Sequence, residues 1–346
     1  MNSLKKKKFI QRISILISIL LVTVLISGCG NKQITKASGS NKYETLELRY
    51  QGSVGNVTFP ELAQDLGYLA PIKLKWIGNT ISGPQDIQSA VTGDVDYGGA
   101  FNGAIAKLKA ANAPIKSVIG YYGVDKETYS GFYVLDGSPI KDARDLIGKK
   151  VAMNTLGAHH EFMLKEFLHR NGLTNNEIKQ VTLVALPPVN TEQSLRQKQI
   201  DVAVLGGILR DKALERGGIH PLFSDYDLFG KFTAGSIVMT ERFLKNNPNT
   251  ADKFVEATAK AIKWAQTTPR DEVIARYEKI VKERGRNEDP SNLQFWKSTG
   301  VAGEGGLISD KEFSVWVDWL VKEGQLKKGQ IKVKDLYSNE FNPYQK

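Results

Sequence analysis

The 346-residue chain has one cysteine, Cys29, and four histidines. A single cysteine excludes a disulfide scaffold, a zinc ribbon, an iron–sulfur cluster and a CxxC redox pair. No G-x-x-x-x-G-K-[ST] phosphate loop is present, no G-x-S-x-G elbow and no H-E-x-x-H, so the common nucleotide, hydrolase and metalloprotease signatures are missing. His159 and His160 are neighbours, and on a helix their side chains would diverge by about 100°, which suits no shared metal. Asp94 and Asp96 would share a strand face, but a turn residue followed by a strand-end residue accounts for both without acid–base chemistry. No catalytic residue, metal or other cofactor is expected. The formal net charge is +10, of which Lys5, Lys6, Lys7, Lys8 and Arg12 supply five, leaving a mild +5 that is no nucleic-acid footprint. With 41% hydrophobic and 24% charged residues, the remainder has an ordinary globular composition.

The basic start is followed by an uncharged apolar run over residues 13–26. Fourteen residues at about 1.5 Å each fall short of a bilayer core of about 30 Å, so the run reads as an export signal. It ends in Leu25-Ile26-Ser27-Gly28-Cys29, which resembles the lipobox of bacterial lipoproteins. There the cysteine thiol receives diacylglycerol and the signal is cut before it. Residues 1–28 are therefore expected to be a signal peptide, Cys29 the lipidation site, and residues 29–42 a polar tether. The folded part would sit on the extracytoplasmic face of the cell membrane, held by the lipid anchor alone.

Past the tether, short apolar runs alternate with segments of helical periodicity. Strands are expected at residues 46–50, 72–77, 95–97, 115–121, 150–153, 181–185 and 202–205, with helices between most of them. This is a βα pattern in two series, which implies mostly parallel sheets flanked by helices. From residue 241 the pattern is nearly all helix. Phe254, Val255, Thr258, Ala261, Ile262 and Ala265 form one stripe, and Val273, Tyr277, Ile280 and Val281 another; Trp316, Trp319 and Leu320 read as core.

An internal echo links the two series. Gln88-Ser89 stands eight positions before Asp96, and Gln193-Ser194 eight before Asp201; a Gly pair follows each, Gly98-Gly99 and Gly206-Gly207. Two similar lobes facing each other would produce this, with both Gly pairs at carboxyl ends of strands, where ligands of open α/β sheets lie.

Several segments resemble the nitrate/sulfonate/taurine group of ABC-transporter substrate-binding lipoproteins, nearest to the aliphatic-sulfonate binders. The segments are Tyr50-Gln51, Gly83-Pro84-Gln85, Gly93-Asp94-Val95-Asp96-Tyr97-Gly98, Asp145-Leu146-Ile147-Gly148-Lys149-Lys150-Val151-Ala152, Gly157-Ala158-His159 and Gln199-Ile200-Asp201-Val202-Ala203. The likeness runs from about residue 45 to about residue 265. It implies a two-lobed type II periplasmic-binding fold, with residues 45–130 in lobe 1, residues 131–234 in lobe 2, and residues 235–346 returning to lobe 1 as C-terminal helices. It also implies a non-enzymatic monomer that captures a small organic anion, an aliphatic sulfonate or related sulfur compound, and delivers it to a membrane permease driven by an ATPase. A nitrate or taurine binder, and a same-fold enzyme or binder of thiamine-precursor pyrimidines, are the alternatives.

By this resemblance the ligand contacts are Gln51, Ser53, Asn56, Gly99, Asn102, Ser130, Thr155, Gly157, Ala158, His159, Gly206 and Arg210. They are mostly neutral donors at loops and helix starts, where free N–H groups favour oxyanions, so affinity is expected to depend only moderately on salt. The group's "T-G-E-x-P-P" and "W-D-P-Y" landmarks are replaced here by Gly99-Ala100-Phe101-Asn102-Gly103-Ala104 and Gly206-Gly207-Ile208-Leu209-Arg210, which leaves Arg210 as a candidate partner for a carboxylate or sulfonate.

Overall fold

A computed structural model describes residues 42–345. Cys29, the signal segment and nearly all of the tether lie outside the described residues. Strand β1 (Glu47–Gly52) leads through helix α1 (Phe59–Asp65) to β2 (Lys73–Asn79), its parallel partner. Helix α2 (Gly83–Thr92), strand β3 (Gly98–Phe101), helix α3 (Asn102–Ala110) and strand β4 (Ile115–Val124) follow. The middle of the chain then supplies β5 (Ser130–Leu135), β6 (Lys150–Met153), α4 (His159–Arg170), α5 (Asn175–Ile178), β7 (Thr182–Ala185), α6 (Pro188–Arg196), β8 (Val202–Gly206), α7 (Gly207–Glu215) and β9 (Ile219–Ser224). Helix α8 (Asp225–Phe229) turns the chain back to β10 (Phe232–Thr240). Helices α9 (Glu241–Asn246), α10 (Pro248–Thr267), α11 (Arg270–Glu283) and α12 (Lys311–Lys322) come last.

The strands form three sheets. The pair β1-β2 and the triplet β3-β10-β4 draw on both ends of the chain, whereas the five-stranded sheet, ordered β7-β6-β8-β5-β9, uses the middle alone. The chain thus crosses from one sheet system to the other at residues 125–129 and returns through α8. The α/β class stands, but the sheets are mixed rather than mostly parallel. β10 runs antiparallel to β3 and β4, and β5 antiparallel to β8 and β9. Strands β5, β9 and β10 escaped the sequence reading; β5 and β10 are buried on both faces and show no period-two alternation.

Local chemistry explains several boundaries. Thr58 caps α1 in a reciprocal box with Glu61, and Pro60 sits in the first turn where its missing N–H costs nothing. Gly93 ends α2 at φ 87°, a left-handed conformation that suits glycine. The α10 and α11 stripes are buried as their spacing predicts, and so are Trp316, Trp319 and Leu320 of α12. Trp316 packs edge-on against Phe101 at 4.8 Å.

The echo is real in one part and not in the other. Asp96 accepts a hydrogen bond from Arg49 N at 2.6 Å and returns its own N–H to Arg49 O at 3.0 Å. Asp201 does the same with Lys150, at 2.8 and 3.0 Å. Asp201 therefore ties the approach to β8 to the start of its neighbour β6, and Asp96 ties the approach to β3 to the middle of β1. The Gly pairs, however, are not equivalent. β3 is Gly98–Phe101 rather than residues 95–97, so Gly98-Gly99 opens a strand while Gly206 closes one. Gly98 and Gly99 are small because a Cβ would sit 2.6 Å from Asp86 O in one case and 2.7 Å from the Tyr121 ring in the other.

Candidate functional site

Three strands of the five-stranded sheet, β6, β7 and β8, are parallel, so α4, α6 and α7 all begin at one edge of that sheet. None of the three has a side-chain cap, and neither has α2, which begins beyond the carboxyl end of β2. Helices α1, α5, α8 and α9 are capped by Thr58, Thr174, Ser224 and Thr240, while α3, α10, α11 and α12 also start without a side-chain cap, so it is position rather than capping that sets this edge apart. The α2 start meets the segment before α4 directly: Ser82 Oγ lies 3.4 Å from Thr155 Oγ1, and Asn154 Nδ2 donates to Ile81 O at 3.2 Å. The uncapped starts of α2 and α4, with their partial positive charge, thus meet across the two sheet systems, an arrangement suited to an oxyanion.

The sequence-derived candidates fall into three groups. Gln51, Ser53 and Asn56 lie at or just beyond the carboxyl end of β1, where the Gln51 side-chain oxygen is enclosed without a partner. Thr155, Gly157 and Ala158 precede α4; Gly157 N donates to Glu161 at 2.8 Å, and Ala158 is the extended N-cap residue. Ser130, His159 and Gly206 gather around Asp225. The Asp225 carboxylate accepts from Ser130 N at 3.0 Å and lies 3.3 Å from His159 Nε2. Ser130 Oγ contacts His160 Nε2 at 3.2 Å, and a Cβ on Gly206 would be 2.6 Å from that same hydroxyl. The His159 ring stacks on Phe101 at 5.0 Å and on His160 at 5.4 Å, so the two imidazoles lie together rather than diverging as helix geometry suggests.

Three candidates serve the fold instead. Gly99 N is taken by Asp86 Oδ2 at 2.7 Å. Asn102 is fully buried, donating from Nδ2 to Thr233 O and Glu312 O and accepting from Ser236 Oγ. Arg210 is buried as well: its guanidinium pairs with Asp211, donates to Tyr129 O and Glu127 O, and covers the Tyr129 ring at 3.8 Å. No guanidinium donor of Arg210 faces an open cleft, so it ties α7 to the first crossing instead of awaiting an anion. Conversely, the sequence reading gave no role to Asp86 or Asp225 and weighed His160 only as a metal ligand. Only Asp225 carried a signal, in the cap-like run Ser224-Asp225-Tyr226-Asp227.

Burial sets the protonation of this cluster. It pushes the Asp86 carboxyl up to about 7 against the opposing hydrogen bond from Gly99, and Asp225 up to about 7 against its backbone donors. The same desolvation lowers His160 to about 4 and His159 well below its ordinary value. In the unfolded chain Asp225 titrates near 3.8, so its contribution to stability is fully present below that pH and is lost as pH rises through about 7. Asp225→Asn removes this slope. Its stability relative to wild type, from urea denaturation, is expected to improve by on the order of 1–3 kcal/mol between about pH 4.5 and 7.5. An equal difference at both pH values would overturn the assignment of a proton to Asp225.

Comparison with known proteins places this architecture. The fold is that of periplasmic binding proteins. It matches the alkanesulfonate-binding protein SsuA from Xanthomonas axonopodis pv. citri bound to MOPS, with TM-score 0.66 and 19% identity, over 85% of this chain and 99% of that one. It also matches the periplasmic nitrate-binding protein NrtA from Synechocystis PCC 6803, with TM-score 0.64 and 12% identity, over 86% and 88%. The chain belongs to the NMT1/THI5 like family, whose model matches residues 56–272. In sequence it is 27% identical over 212 residues to an Escherichia coli K12 protein assigned to aliphatic-sulfonate binding. That match covers 60% of this chain and spans 63% of the relative's length. Among the described residues no helix is long and apolar enough to cross a membrane, and no group of three or more His, Cys, Asp or Glu is placed to hold a metal.

Proposed function

We propose that this protein is the extracytoplasmic substrate-binding component of an ABC importer, which captures a small organic anion, a sulfonate or related sulfur compound, and passes it to a permease. The observation that carries this reading is the meeting of the uncapped α2 and α4 starts at Ser82 and Thr155, with α6 and α7 beginning at the same sheet edge as α4. The family membership and the sulfonate-binding relative support the ligand class. The two sheet systems act as lobes, close to the division expected at residues 45–130 with 235–346 and 131–234 but with Ser130 on the second side and residues 232–234 on the first, closing about the crossings. The reading is of binding without chemistry, and the lobes work as a monomer anchored through lipidated Cys29.

A thermal-shift screen of residues 42–346 against alkane- and arylsulfonates, taurine, nitrate and pyrimidines tests this directly. A ligand at 100 times its Kd adds ~2.7 kcal/mol, which for a fold of roughly 300 residues is about 4 °C. A response confined to neutral or cationic compounds would sink the anion reading, and turnover of the bound compound would replace the receptor by an enzyme. For the anchor, Cys29→Ala protein should leave the detergent phase that retains the wild type; unchanged partitioning would disprove lipidation there.

A further inference from the structure

The turn after α11 brings two arginines onto the carboxyl end of β1. Arg284 Nη1 donates to Asn56 O at 2.9 Å and pairs with Glu61 at 3.2 Å. Glu288 in turn accepts from Arg284 Nε at 2.6 Å and from Gly55 N at 3.0 Å. Arg286 is fixed by its other nitrogen: Nη2 donates to Tyr50 Oη at 2.5 Å and lies 3.0 Å from Glu61 Oε1. The guanidinium plane covers Trp76 at 4.5 Å, and only 9% of the side chain is exposed.

This leaves Arg286 Nη1 enclosed with no partner among the described residues. It points at Gly52, the last residue of β1. A Cβ there would lie 3.2 Å from Nη1, 3.5 Å from Asn79 Oδ1 and 3.6 Å from Trp76 Nε1. The neighbouring Gln51 Oε1 is enclosed and unpartnered too. A charged donor left without an acceptor away from water is costly, and a buried polar group in that state calls for an explanation. An incoming oxyanion would supply the acceptor when the lobes part and close again.

We infer that Arg286 is the cation of the ligand cleft, receiving one oxygen of a sulfonate or carboxylate on Nη1 beside Gly52. The inference rests on the proposed function and replaces the expectation of mostly neutral donors with Arg210 as the candidate cation. It makes Arg286 a specificity-determining residue, selecting anions over neutral compounds of the same shape.

Calorimetric titration with butanesulfonate and with butanoate tests it, on wild type, Arg286→Met and Gly52→Ala, at about 50 and 300 mM NaCl. Wild-type affinity for the anion that binds should fall as salt rises. Arg286→Met should weaken it by about 10- to 100-fold, the range for a hydrogen bond to a charged group, and abolish most of the salt dependence. Gly52→Ala keeps every charge and fills the notch, so it should weaken binding while leaving the fold intact, even where Arg286→Met fails to fold. Wild type that binds a sulfonate with an affinity neither variant changes overturns the role of Arg286 and leaves the proposed function standing. Wild type that binds no anion overturns both.

Discussion

Arg210→Met is expected to lower the thermal midpoint by about 5–8 °C, because removing one member of a buried ion pair costs about 3–5 kcal/mol and each kcal/mol is worth roughly 1.6 °C in a fold of this size. The guanidinium is 2% exposed and Asp211 8% exposed, so neither charge has water to fall back on. After the substitution Asp211 keeps only Lys297, at 3.3 Å. Tyr129 O and Glu127 O lose their donor, and the Tyr129 ring loses its cation. Lysine at this position should not rescue, since a single ammonium cannot reproduce the fork that reaches a carboxylate and two carbonyls. Because the crossing at residues 125–129 is held by this fork, the damage falls on stability and the ligand-induced shift should survive. A variant with an unchanged midpoint and no ligand response would make Arg210 the ligand partner after all.

Asn102→Ala should cost about 2–4 kcal/mol, a fall of roughly 3–6 °C, measured in the ligand-free protein by thermal or urea denaturation. The side chain is wholly enclosed and joins β10 to α12, with Nδ2 3.3 Å from Thr233 O and 3.2 Å from Glu312 O, and Ser236 Oγ 2.7 Å from Oδ1. Alanine takes one hydrogen-bonding partner from each of the three groups in a place water does not reach. Asn102→Asp should be worse, because a carboxylate would face two carbonyl oxygens. A change in midpoint below about 1 °C for Asn102→Ala would mean that these bonds contribute little, and would return Asn102 to the list of ligand contacts.

Local pattern carried much of the architecture. The stripe at Phe254, Val255, Thr258, Ala261, Ile262 and Ala265 needs only a 3.6-residue period to declare a buried face, and the structure buries all six. Asp96 and Asp201 were legible as a repeated element because each stands at the same offset from its helix, although the backbone each one ties lies 47 or 51 positions earlier in the chain. The order of segments such as Gly83-Pro84-Gln85 and Gly157-Ala158-His159 was enough to suggest the family before any coordinates.

The roles of the polar residues were not legible in that way. Asn102 and Arg210 look like ligand donors in sequence because both stand at helix starts rich in glycine. Their partners, however, are 131 and 210 positions away for Asn102, and 81 and 83 for Arg210. Arg286 shows the converse: nothing near it in sequence suggests a site, yet folding sets it on Tyr50, 236 positions earlier. A polar side chain binds ligand only if folding leaves its hydrogen-bonding groups unmet. That is a property of everything packed around it, so local pattern determined the helices and the periodic strands, while tertiary structure alone decided the fully buried crossing strands and which donors were left over.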